Sequence, residues 1–402
     1  MTLADRMSRV GSSPTQQVLL EANRLARQGV DVVDLGAGEP DFSTPDHVKA
    51  AGAAAIAEDF TKYTPNAGIA ELKEAICNWY AAKYGVEYVQ GEAIVTAGGK
   101  QALFNVAMAL FGPGDEIITH VPGWPSIVDQ IKLSGADPVL VRTFPDEKFS
   151  VRAERVLEAV TPRTRAIVIN SPSNPTGALI TEADLECIAR ETEAAGIWLV
   201  IDLCYEQLIY DEVSHNLPRV LFESARDRAV IAGSVSKSYA MTGWRCGWAL
   251  GPTKFIAGAN AVQSHSTSSV SSITQRAAVV ALSGSQTAVA EMLREYRVRR
   301  DQLIAWLAEE PRIKVVRPAG AFYLFPDISE LLSPEGVRTS ASFATELLAR
   351  SHVAVTAGEA FDAPGFLRIS YATSLSRLKD GIDRLKAFIA ALDSRDKGDL
   401  SM

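Results

Sequence analysis

Short runs rich in valine and isoleucine alternate along this chain with longer stretches whose apolar residues recur every three or four positions. That alternation is the pattern of a mostly parallel sheet covered by helices, so the sequence predicts an α/β fold. The predicted strands are EIITH (116–120), RAIVIN (165–170), IWLVID (197–202), AVIAGS (229–234) and CGWALG (246–251). Between them, the stretch from Ile69 places Leu72, Ile76, Trp79 and Tyr80 on one helical face. Lys100 to Phe111 reads the same way, until Gly112-Pro113-Gly114 stops it. Thr181, followed three residues later by Asp184, is a capping signal for another helix. The helical period then runs from Ile273 to about Glu310, interrupted at Ser283-Gly284-Ser285. A second α/β unit follows, with strands expected near 321–325, 353–356 and 366–370.

Composition acts mainly by exclusion. A chain of 402 residues, 47% hydrophobic, can bury one large core or two moderate ones. Its 40 basic and 48 acidic residues leave a net charge of -8 without any run of like charge, which favours neither nucleic acid nor an anionic membrane as partner. No apolar run has the length of a membrane span, and MTLADRMSRV lacks the apolar centre of a signal peptide, so the expected compartment is the cytoplasm. Cys77, Cys187, Cys204 and Cys246 lie far apart without a CxxC pair. They read as packed thiols, and no metal site is expected.

The candidate chemistry sits where strands end, because ligands of open α/β sheets bind at the carboxyl ends of strands. After EAIVT comes AGGKQALFN, in which glycines open a helix and offer backbone N–H groups and a positive dipole to a phosphate. After RAIVIN comes the Asn-Pro-Thr-Gly turn of SPSNPTG, after IWLVI comes Asp202 with Tyr205 three residues on, and after AVIAG come Ser234, Ser236 and Lys237. Arg368 is embedded in the apolar strand FLRIS, where a cation needs a buried anion or an escape to solvent. Each feature alone has an ordinary reading: a tight turn, a β-turn, a capping acid, a surface lysine. Together they are the parts needed to hold pyridoxal phosphate.

Seven segments in order then carry a resemblance over nearly the whole chain: LGAGEPDFSTP (35–45), KYTPNAGIAELKEAI (62–76), GGKQALFN (98–105), NSPSNPTG (170–177), SVSKSYAMTGWRCGWALGP (234–252), GAFYLF (320–325) and LRISYATS (367–374). The sequence resembles the class I aminotransferases, pyridoxal-phosphate enzymes of the aspartate aminotransferase fold. The resemblance implies a large cofactor domain over residues 46–280 and a smaller one built from 1–45 and 281–402. It implies that Lys237 joins the cofactor aldehyde and moves the substrate proton, that Asp202 faces the pyridine nitrogen, and that Tyr205 and Asn174 donate to the ring oxygen. Trp124 would cover the ring, and Gly99, Lys100, Ser234 and Arg245 would hold the phosphate. Arg368 would grip the substrate carboxylate beside Gly38, where a side chain would collide. Tyr63 would reach the neighbouring subunit's phosphate, which implies a homodimer with shared sites.

The stretch SSPT is similar to a segment of bacterial aspartate aminotransferases that, with Lys100, would place Ser13 and Thr15 on a distal carboxylate. Aspartate or glutamate is then the implied donor and a 2-oxo acid such as 2-oxoglutarate the acceptor. Two departures, DLCYE with Leu203 and Cys204 and the histidine His265, bear on side-chain preference. Aromatic, aliphatic or other bulky donors, including prephenate chemistry, stay open. So does a lyase, decarboxylase or oxidase on the same fold.

Overall fold

The computed structural model describes residues 3–11, 14–211, 214–333 and 336–399. Its largest sheet has seven strands: β2 (Ala93–Thr96), β3 (Glu116–Val121), β4 (Asp137–Arg142), β5 (Thr164–Asn170), β6 (Trp198–Asp202), β7 (Ala229–Ser234) and β8 (Gly247–Leu250). Their spatial order is β2-β8-β7-β6-β5-β3-β4, and β8 alone runs against its neighbours. Most of the strands are buried on both faces, which is why they read as continuous Val/Ile runs. β4 differs: its residues are largely exposed or half-buried at the sheet's edge and it opens on Asp137-Pro138.

Helices cover both faces. Ala70–Tyr84 buries Leu72, Ile76 and Tyr80 and stops at Gly85, which takes a left-handed conformation at φ +69°. Glu182–Ala195 begins where the Thr181 hydroxyl accepts the Asp184 N–H at 3.0 Å. The long helical stretch after 270 divides into Ser272–Ser283 and Thr287–Leu307 around Gly284.

A second apolar core joins Val33 and Leu35 with residues from Met292 to Ile389, and it also takes in Tyr205, Leu208 and Tyr210 from the chain just beyond β6. Its strands are short: β1 (Val33–Asp34) pairs with β10 (Val353–Ala354), while β11 (Thr356–Ala357), β12 (Leu367–Ser370) and β9 (Tyr323–Leu324) form an antiparallel sheet. The strand expected over 353–356 is thus two, since Val353 pairs with β1 and Thr356 with β12. No helix among the described residues is long and apolar enough to cross a membrane.

Candidate active site

A cavity of about 420 Å³ opens where β5, β6 and β7 end, closed from the other side by residues 36–39, Tyr323 and Arg368. Parallel strands set this convergence: Asn170, Asp202 and Ser234 are each the last residue of their strand, and each borders the cavity.

Asp202 is 2% exposed, and its carboxylate accepts the Cys204 N–H at 3.0 Å. Burial raises its pKa to about 6, against the pull of that hydrogen bond and of Lys237. Burial acts oppositely on the Lys237 ammonium, lowering its pKa to about 8. The Lys237 amine donates to the Gly38 carbonyl at 2.5 Å, so the lysine spans the cavity. Beside them, the Asn170 side chain accepts the Asn174 N–H at 2.8 Å and donates to the Asp202 carbonyl at 3.2 Å. His120 backs this turn by accepting the Asn170 N–H at 3.2 Å, and burial lowers its pKa to about 4, so it is neutral there.

Close packing brings a helix N-terminus, Ser234 and Arg245 to one end of the cavity. Helix Gly99–Leu110 opens directly after Gly98, whose φ is +85°. A Cβ on Gly98 would lie 2.7 Å from the Arg245 guanidinium, and one on Gly99 2.6 Å from the Cys204 thiol. Arg245 itself has φ +58° and donates to the carbonyls of Thr242 and Ala97, both at 3.0 Å. The Ser234 hydroxyl accepts the Ser236 N–H at 2.8 Å. Lys100 holds its ammonium 5.0 Å from the Trp124 ring centre, and burial followed by the Arg245 charge lowers its pKa.

At the opposite end Arg368 is 3% exposed. It donates to Asn174 Oδ1 at 3.1 Å, the Gly36 carbonyl at 2.7 Å and the Thr356 hydroxyl at 3.4 Å, while its Nε has no partner among the described residues. All of these acceptors are neutral. A guanidinium buried this way has the chemistry to take an anion.

The cavity therefore brings together Gly38, Gly99, Lys100, Trp124, Asn174, Asp202, Tyr205, Ser234, Lys237, Arg245 and Arg368, all singled out in the sequence. At Gly38 a Cβ would meet only the Tyr323 hydroxyl, at 3.4 Å, so within the protein itself nothing collides there. Tyr63 is not in the cavity, and the residue is 95% exposed. Ser13 lies outside the described residues, and Thr15 falls in helix Pro14–Arg27 with its side chain outside the description. Of the two departures in the sequence, Cys204 lines the cavity, Leu203 is buried in the large core, and His265 is exposed at the end of helix Thr253–Ser264 without bordering the cavity. Sequence reasoning passed over Asn170, Ser126 and Tyr323. Asn170 and Tyr323 stand inside NSPSNPTG and GAFYLF, so their segments were legible though their roles were not.

Residues 30–385 match the family described as aminotransferase class I and II. The chain is 40% identical to an aspartate aminotransferase of Geobacillus stearothermophilus, covering 97% of this chain and 100% of that one. It is 43% identical to an aspartate/prephenate aminotransferase of Thermus thermophilus, covering 95% and 97%. Among solved structures, the aspartate aminotransferase of Rhizobium meliloti superposes with a TM-score of 0.92 at 39% identity, covering 97% of this chain and 99% of that one. The Thermus thermophilus aspartate aminotransferase with maleate does so at 0.91 and 41%, covering 96% and 99%.

Proposed function

The chain belongs to the class I and II aminotransferases, and from that premise we propose that it moves the amino group of aspartate or glutamate to a 2-oxo acid such as 2-oxoglutarate, with pyridoxal phosphate as cofactor. The observation that carries the reading is the pairing in one cavity of a lysine lowered to about pKa 8 with a buried arginine whose hydrogen-bond partners are all neutral.

The donor set fits the cofactor. A helix N-terminus opened by Gly98 and Gly99, with Ser234 and Arg245 beside it, suits a phosphate. Asp202, ionised above about pH 6, suits a protonated ring nitrogen, and Tyr205 with Asn174 suits the ring oxygen. Trp124 offers a flat face. When bound, the cofactor supplies an aldehyde for the incoming amine and a ring that accepts the electrons freed at the donor's α-carbon.

The protein's own residues do the rest. Arg368 grips the donor's α-carboxylate and so orients its Cα–H bond. The Lys237 amine, with its pKa near 8, takes the proton from that α-carbon and returns it to the other reacting carbon. Donor and oxo acid use the same groups in turn, which gives a ping-pong order. Lys100, with Ser13 and Thr15, receives the distal carboxylate.

We further assign residues 46–280 to the cofactor-binding unit and 1–45 with 281–402 to the smaller one. The active species is a cytoplasmic homodimer in which the exposed Tyr63 completes the neighbouring subunit's phosphate site. A second cavity, of about 800 Å³, borders Arg245 and offers that ring a place. A second reading takes prephenate as the oxo acid, supported by the relatives named aspartate/prephenate aminotransferase.

A panel of amino donors against 2-oxoglutarate and prephenate tests both. Aspartate and glutamate should lead, and Lys100→Ala should lower kcat/KM for aspartate on the order of 10²-fold while sparing alanine and phenylalanine. An equal loss for every donor would make Lys100 a phosphate or structural residue instead.

A further inference from the structure

We infer that Tyr323 is a positioning residue that couples the two ends of the cavity, holding the Tyr205 hydroxyl at one end and the Arg368 guanidinium at the other. The inference rests on the reading above, in which Tyr205 faces the cofactor and Arg368 the substrate carboxylate.

The placement follows from strand register. β9 pairs antiparallel with β12, and Tyr323 stands opposite Ser370. Side chains alternate between faces along a strand, so Arg368, two residues before Ser370, is the diagonal neighbour of Tyr323 on the same face. The guanidinium accordingly lies 4.5 Å from the Tyr323 ring centre, within cation–π range. The phenol then reaches across the cavity, where its oxygen lies 3.0 Å from that of Tyr205. Tyr323 is 1% exposed and Tyr205 5%, so little water competes for this pair.

Hydroxyl arithmetic gives the contact a direction. Each phenol carries one proton. Tyr205 can donate to a cofactor oxygen only if its bond with Tyr323 uses the Tyr323 proton. Burial raises the Tyr323 pKa, but the Arg368 charge under its ring opposes that rise, and a nearby cation favours the phenol as donor, which supports that arrangement. Arg368, Tyr323 and Tyr205 thus form a chain in which each member polarises the next. A carboxylate arriving at Arg368 is felt at Tyr205 through Tyr323.

The test uses full-length protein loaded with pyridoxal phosphate, with maleate as an inert dicarboxylate probe. Two readouts are taken: the pH midpoint of the bound cofactor's visible absorbance change, and the Kd of maleate. Tyr323→Phe keeps the ring and loses the proton. Its midpoint should rise by about half to one pH unit, the equivalent of one net hydrogen bond. Its maleate Kd should stay within about threefold of wild type, because the platform under Arg368 remains. Tyr323→Leu should raise the midpoint similarly and also weaken maleate by roughly tenfold. An unmoved midpoint in Tyr323→Phe would overturn the coupling, since a tyrosine that merely fills space leaves it unchanged. A maleate Kd in Tyr323→Phe as weak as in Tyr323→Leu would overturn the platform role. Tyr323→Phe is near-isosteric, so the proposal stands or falls on it even if Tyr323→Leu does not fold. Failure of the underlying reading shows elsewhere: wild-type protein lacking any pH-dependent cofactor band overturns both, whereas a normal band with unaltered variants overturns the coupling alone.

Discussion

Arg300 and Arg368 are both buried, and each guanidinium lies 4.5 Å from a tyrosine ring, Tyr210 for the first and Tyr323 for the second. Their partners differ. Arg300 meets both oxygens of Asp211 at 2.8 and 3.0 Å, Asp301 at 2.9 Å and the Pro318 carbonyl at 3.0 Å. Arg368 meets an amide oxygen, a carbonyl and a hydroxyl, and among the described residues it makes no ion pair. The one charge is satisfied within the fold, and the other, on the function proposed above, is held ready for an anion that comes and goes. Lys237 and Asp202 belong with Arg368, since burial moves both pKa values toward the neutral form. The Asp211 carboxyl instead is held below its usual range by Arg300. Charge completed by the chain builds structure, whereas charge left incomplete marks the cavity.

The largest effect expected on that contrast is at Lys237. Lys237→Ala should lower turnover by about 10³-fold or more, while the phosphate cradle still binds pyridoxal phosphate. Borohydride reduction of the loaded wild type should label Lys237, and a label on another lysine would move the assignment.

A paired substitution tests the arginines directly. Arg368→Met should lower kcat/KM by about 10²-fold, with no loss of thermal stability because an uncompensated buried cation has been removed. Arg300→Met should do the reverse, costing about 2 kcal/mol of stability through its lost charged hydrogen bonds, with kcat/KM retained in the folded fraction. If both variants lose stability equally, the distinction between completed and incomplete charge fails.

The smallest effect is a pH dependence in the cofactor-free protein. A folded-state pKa of about 6 for Asp202 lies above that of a free aspartate, so its contribution to stability is full below about pH 4 and is lost as pH rises through 6. Lys237, lowered to about 8, contributes fully above about pH 10.5 and loses that contribution as pH falls through 8. Cofactor-free Asp202→Asn should therefore melt above wild type at pH 7, with the gap closing toward pH 4. A constant gap would mean that Asp202 is not strained by its burial.

The fold was legible wherever burial on both faces wrote a continuous apolar run, as in RAIVIN and AVIAGS. β4 was not foreseen because an edge strand such as Asp137–Arg142 exposes much of its length and starts on residues typical of turns. The short strands of the second unit were blurred for a related reason, since two-residue pairings leave no period to detect. In the site, the residues whose chemistry is rare at a strand end stood out: Asp202, Lys237 and Arg368. Tyr323 and His120 stayed hidden, because an aromatic in an apolar strand and a histidine at a strand's end look like packing until the partners across the fold are known.

Gly247 carries a consequence for how this sequence can drift. It begins β8 with its α-carbon pressed against two other backbones: a methyl group there would stand 2.6 Å from the Gly99 nitrogen and 2.7 Å from the Gly233 carbonyl oxygen. Neither obstacle is a side chain that could swing aside, so even alanine requires the opening turn of helix Gly99–Leu110 to slide off the sheet. In a library that samples each position singly, Gly247, packed on the Gly99 backbone, should tolerate no replacement, while the exposed Lys254 nearby accepts many. The pair sets a fixed point in sequence space around which the rest of the cavity is free to be re-tailored for other substrates.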